Sequence, residues 1–244
     1  MTTARFAVLL LVCAVGAGAA TFGTTYPLLG EFSDLALDEA RSLVYVANFT
    51  ASRIEVFSTA SRTWQPPIRL GINPSALALS PDARLLLILN FGSPSMFLYN
   101  IDSRSVQTVS LPHVPRAAAF GSDGAALILT STPQLGGQVL RYDPATGALL
   151  PLRDITSLLG EVPVQQPAFP AEIVNARMAV SQDRNTIFVV GSIALNTHFA
   201  FHYSVPTQAF TSRCASLARE PVRFASISPD GNRFMGGHML FDRS

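Results

Sequence analysis

The residues of this chain whose types and spacing could do chemistry are few. His198 and His202, in the run HFAFH, stand four apart. A zinc-binding helix with that spacing needs a glutamate beside the first histidine, and Phe199 is there instead. On a strand the two share one face about 13 Å apart, too far to hold a single ion. No metal site is expected from them. Arginine supplies a second set. Arg116 and Arg223 occupy equivalent positions 107 residues apart, and Arg177 falls one residue off the same frame. Three guanidiniums around one opening could clamp a carboxylate or phosphate through paired N–H donors, or each could be spent on an acidic residue of a neighbouring element. His113, in the same segment as Arg116, completes the candidate ligand-binding residues.

The chain carries no Gly-x-Ser-x-Gly elbow, no Gly-x-Gly-x-x-Gly phosphate loop and no paired-cysteine motif, so no catalytic residue and no cofactor are assigned. It also contains no lysine, which excludes Schiff-base chemistry and a phosphate-loop lysine. Charged residues make up 14% of the chain and the formal net charge is +1, so no field attracts nucleic acid.

What must position these residues is a repeat. LALDEARSLVYVANF (35–49) returns as LALSPDARLLLILNF (77–91), with no gap at an offset of 42. The frame continues through a third copy around Ala117–Gly124, a fourth at Met178–Asp183 and a fifth at Ala225–Gly231. Each copy alternates short apolar strands with turns rich in Asp, Ser, Pro and Gly. Asp82, Asp123, Asp183 and Asp230 recur at one turn, which points to turn closure rather than catalysis. Four strands in about 42 residues is the period of a propeller blade. The expected fold is all-β, a β-propeller of four-stranded antiparallel blades with about four complete blades and a partial fifth. The blades fall at about 31–71, 72–112, 113–150, 173–215 and 216–244, with an insertion over 150–172.

Val44-Tyr45-Val46-Ala47-Asn48-Phe49, followed by Ile54-Glu55-Val56-Phe57, resembles the YVTN-type β-propeller repeats of exported bacterial and archaeal surface proteins. Blade 2 keeps the frame as Leu87-Ile88-Leu89-Asn90-Phe91, whereas the later equivalents of Asn90 are Ser131 and Gly191. The resemblance implies a repeat architecture and export rather than a particular activity. Asn48-Phe49-Thr50 has the form of a glycosylation sequon and is read as a strand terminus.

The spacing between equivalent turns widens between blades 3 and 4, where the Pro-rich insertion carries Asp154, Glu161 and Glu172 and one helical turn is expected over Ile155–Leu159. It is the candidate lid over one face. The last copy ends after a third strand. Residues 21–30 could supply the missing outer strand and close the ring, but the compressed fifth copy favours a propeller truncated at its end.

Residues 1–20, with one arginine, an apolar run over Phe6–Val15 and small residues before Ala20, predict a secretory signal peptide and hence a secreted, periplasmic or cell-surface domain over 21–244. Its removal leaves Cys214 as the one thiol, so no intrachain disulfide forms. No transmembrane anchor is expected after cleavage, because no other apolar stretch reaches spanning length. The expected function is non-enzymatic binding of protein or glycan, or scaffolding, through the loop faces. The alternative is a propeller hydrolase of lactonase type, or a dehydrogenase, working at the channel mouth. The apolar inner strands, such as Leu35–Leu37 and Leu77–Leu79, speak against a metal centre on the channel wall.

Overall fold

A computed structural model describes residues 23–132, 137–159, 172–193, 197–217, 222, 224–236 and 239–242. The signal-peptide segment, Arg223 and most of the expected lid (160–171) lie outside the described residues.

Each repeat folds as one antiparallel meander. Blade 1 is β1 (Phe32–Asp38), β2 (Leu43–Asn48), β3 (Arg53–Ser58) and β4 (Thr63–Ile68); blade 2 is β5 (Pro74–Leu79), β6 (Leu85–Asn90), β7 (Ser95–Asn100) and β8 (Val106–Ser110). Blade 3 is β9 (Val114–Phe120), β10 (Ala126–Ser131), β11 (Gln138–Asp143) and β12 (Ala148–Asp154); blade 4 is β13 (Ile173–Val180), β14 (Thr186–Ile193), β15 (Thr197–Ser204) and β16 (Ala209–Leu217). The fifth sheet has three strands, β17 (Ala225–Ile227), β18 (Arg233–Gly236) and β19 (Met239–Asp242). The first strands β1, β5, β9, β13 and β17 are successive neighbours around the channel. The protein is thus an all-β propeller with four complete blades and a partial fifth.

Strand alternation explains why the blades stack. Within β10, Leu127 and Leu129 face blade 4, while Ala126 and Ile128 face blade 2, and blades 2 and 4 likewise offer an apolar surface on both sides. Among the described residues the blade 3–4 core holds sixteen buried residues, including Leu127, Val189 and Phe199, and the blade 4–5 core holds five, around Phe188 and Phe234. Of the four described inter-blade cores, that between blades 4 and 5 is therefore the thinnest layer of apolar burial.

Two boundaries differ from the sequence reading. β12 runs on to Asp154 and passes directly into helix α1 (Ile155–Leu159), so blade 3 extends beyond residue 150 and the insertion starts later. Ile155 and Leu158 are buried in the blade 3–4 core, which holds the helix against the sheets rather than out over a face. Residues 23–30, the described part of the candidate outer strand of blade 5, form no strand and lie against blade 1. There Tyr26 packs on Phe57 at 4.7 Å and the Leu29 carbonyl accepts a hydrogen bond from Asn48 Nδ2 at 2.9 Å.

Candidate functional site

The channel has two mouths, built from opposite ends of the same inner strands. At the start mouth, where these strands begin, each of the first four carries a β-bulge, which leaves Ser33, Ser75, Arg116 and Val174 as the extra residues. A bulge re-aims its side chain. Arg116 therefore lies within β9 rather than in the loop before it, and its guanidinium sits 5.5 Å from the centre of the Phe91 ring. It also pairs with Glu172 of blade 4 at 3.9 Å. Burial lowers the Arg116 pKa, and Glu172 only partly offsets this.

Arg177 likewise lies inside its strand, β13, and reaches across the ring. It donates to the Ser33 carbonyl of blade 1 at 3.4 Å, and it is close enough to Asp34 to favour that carboxylate's charged form. Asp34 accepts the backbone N–H groups of Leu35 and Leu77, both at 2.9 Å. Burial nevertheless holds its carboxyl above the usual range. Asp34, Arg177, Phe32 and Phe224 line a cavity of about 350 Å³. His113 is half-buried in the turn before β9. Among the described residues Arg116 and Arg177 share no bonding partner, and each contacts a neighbouring blade; Arg223, the third predicted arginine, lies outside the described residues.

The motif asparagine, read from the sequence as a strand terminus in blade 1, also ties down the start mouth. Asn48 and Asn90 are fully buried. Besides Leu29, Asn48 Nδ2 donates to Glu55 at 2.8 Å, and Arg53 donates to the same carboxylate at 2.7 Å. Asn90 Oδ1 accepts the Ile72 N–H at 2.9 Å. Both asparagines thus hold the segment leading into their own blade. In blade 3 the same task falls to Ser131, whose hydroxyl accepts the N–H of Ile173 at 3.1 Å. In blade 4 it falls to Ser192, one residue past Gly191, with the N–H of Val222 at 3.5 Å. These serines hold the next blade. Gly191 serves packing, since a Cβ there would collide with the Phe199 ring. The burial of Asn48 also closes its sequon to a glycan in the folded protein.

The turn mouth lies at the other end of the inner strands. The recurrent aspartates close its hairpins: Asp82 Oδ1 accepts from the Ser80 hydroxyl at 2.6 Å and from Arg84 N–H at 3.1 Å, and Asp183 repeats this with Ser181 and Asn185. These bonds hold both carboxyls below the usual range. Adjacent hairpins are stitched together. Arg41 of blade 1 donates to the Ala83 carbonyl at 2.8 Å, Ser122 N–H of blade 3 to the Arg184 carbonyl at 2.9 Å, and Gln182 N–H of blade 4 to the Pro229 carbonyl at 3.1 Å.

Arg184 departs from this pattern. Its backbone has φ +56°, in the left-handed slot that Gly124 and Gly231 fill in blades 3 and 5, where a residue with a Cβ is strained. Its half-buried side chain crosses to blade 2 and donates one bond, to the Leu79 carbonyl at 3.2 Å. Among the described residues it forms no ion pair, and burial lowers its pKa with no acid to offset it. It lines a cavity of about 600 Å³ whose wall includes Leu35, Leu37, Leu79, Met178 and Val180. Leu35 and Leu37 remain 63% and 51% exposed inside this channel. Leu35 and Met178 also line the start-mouth cavity, so the two are halves of one channel.

His198 and His202 are buried in β15. His202 packs between Phe188 and Phe234, with ring centres 5.3 Å and 3.9 Å away, at the blade 4–5 interface. Among the described residues no three of His, Cys, Asp and Glu gather in a way that could hold a metal ion.

No protein-family model and no curated protein matches the chain. Among solved structures 1068 chains match, so the architecture is shared too widely to specify an activity. One of them, the hydrazine synthase of Kuenenia stuttgartiensis, superposes with a TM-score of 0.66 at 13% identity, over 89% of this chain. This chain spans 58% of the length of that one. At that identity the likeness establishes the propeller fold.

Proposed function

We propose that this protein is an exported, non-catalytic propeller of the YVTN type that binds a ligand at its central channel, with the stacked blades as a rigid frame. The observation that carries this reading is the channel itself. The inner strands line it with apolar side chains, Asp34 is held by two backbone N–H groups and Arg177 by the blade 1 backbone, and Arg116 rests against Phe91 with Glu172 3.9 Å away. A general acid or base must be free to exchange a proton with a substrate, and Asp34 is committed to structure. An open cavity that combines apolar side chains with a cation unpaired among the described residues, Arg184, suits recognition.

Export is supported by the sequence of residues 1–20 and by the repeat resemblance. Among the described residues no helix is long and apolar enough to cross a membrane. The test has two arms. Residues 1–25 fused to alkaline phosphatase should give phosphatase activity outside the cytoplasm, and an inactive fusion would remove export. The mature protein should show no turnover of lactones or of alcohols with an artificial electron acceptor. Turnover that a Leu37→Trp plug abolishes would replace binding with catalysis.

A further inference from the structure

We propose that the turn mouth of the channel is a binding site for an amphipathic carboxylate, its anionic head on Arg184 and its apolar body against Leu35, Leu37 and Met178. This rests on the reading of the channel as the binding site and adds the ligand class.

Three observations converge. First, Arg184 puts a long cationic side chain on the channel from a turn slot, at φ +56°, that blades 2, 3 and 5 fill with Ala83, Gly124 and Gly231. Second, the guanidinium is anchored through Nη1 to the Leu79 carbonyl, while no described residue bonds Nε or Nη2. These two donors form the edge that matches the two oxygens of a carboxylate. The contrast with Arg41 is direct: Arg41 also donates to a neighbouring turn carbonyl, but its charge is met by Asp38 at 3.0 Å and by Asp102 at 2.5 Å. Third, the wall beside Arg184 leaves two leucines more than half exposed inside a concavity, a surface that gains by meeting apolar groups.

Charge and polarity at the rim narrow the class. Among the described residues Glu39, exposed, is the one carboxylate lining this cavity, and it opposes a second negative charge on the ligand, so a monoanion fits better than a phosphate dianion. Ser80 and Ser181 also line it, but their hydroxyls already donate to Asp82 and Asp183. Arg184 is left as the charged anchor.

The test uses decanoate as probe, with acetate and 1-decanol as its head-only and tail-only halves, titrated calorimetrically into the mature protein. The expected result is one decanoate per chain, at least tenfold tighter than acetate, with affinity reduced at least tenfold by Arg184→Gly and by Leu37→Gln. Arg184→Gly relieves the backbone slot, so its melting temperature should equal or exceed the wild-type value, which separates lost binding from lost folding. Absence of decanoate binding to wild type, or unchanged affinity in a well-folded Arg184→Gly, overturns the proposal. If Leu37→Gln weakens decanoate while Arg184→Gly does not, the carboxylate assignment falls and the channel reading stands. If neither variant matters, both fall.

Discussion

The two ends of the channel put the same kind of side chain to different uses. At the start mouth Arg116 and Arg177 are engaged, one with Glu172 and the Phe91 face, the other with the blade 1 backbone. At the turn mouth Arg184 is tethered by one carbonyl and meets no acid among the described residues. Both ends hold blades together, at the start mouth through arginine and asparagine and at the turn mouth through Arg41, Ser–Asp hairpins and backbone bonds, which leave Arg184 without an acid among the described residues. A charged residue at a blade junction thus signals function only when its charge is left unmet.

This contrast can be broken or sharpened by substitution. The largest effect is expected at the start mouth. Asn48→Leu removes the bonds to Leu29 and Glu55 and strips the buried Glu55 of one of its two partners, which should cost about 3 kcal/mol in urea unfolding. A loss below about 1 kcal/mol would mean that the motif asparagine does not hold the blade. Next, Gly191→Ala forces a methyl against the Phe199 ring and should cost about 2 kcal/mol by the same measurement. Arg116→Ala, which loses the Phe91 contact and a partly exposed ion pair, should cost about 1 kcal/mol. Arg184→Gly should shift stability by less than that or raise it. If Arg184→Gly proved the more damaging of the two, Arg184 would be structural and the contrast would collapse.

The smallest effect is a slope. His198, buried in β15, has its pKa lowered by burial, so the unfolded chain takes up a proton near pH 6.5 before the native state does. Stability should therefore fall as pH drops below about 6.5, and His198→Gln should flatten that fall in chemical unfolding between pH 7 and 5. An identical slope in the variant would assign the acid sensitivity elsewhere.

Much of the fold could be read before the structure, because a blade is a local object. The 42-residue offset from Leu35 to Leu77, the Ser–Pro–Asp turns and the helical turn at Ile155–Leu159 all depend on neighbours in sequence. What escaped depended on pairing at a distance. The bulge that moves Arg116 into β9 exists only against Thr130 and Leu129 of the adjoining strand. The continuity of β12 with α1 depends on the buried places that Ile155 and Leu158 find between blades 3 and 4. At the candidate site, attention to recurrence favoured Arg116 and Arg223, which hold equivalent positions. The more telling residue was the exception. In the turns SPDAR, SDGA, SQDRN and SPDGN, the slot after aspartate reads Ala83, Gly124, Arg184 and Gly231, and the one arginine among these four was visible without coordinates. Its significance was hidden because nothing in the sequence says that the Leu79 carbonyl lies within its reach.

That slot has a further consequence. Each hairpin is closed by its aspartate and by the backbone N–H of the residue in the slot, so the side chain in the slot takes little part in holding the turn. Two of the slots, Ala83 and Arg184, open on the channel. The propeller therefore carries interchangeable positions around one rim, where a different side chain can redraw what the channel admits while the blades beneath keep their shape.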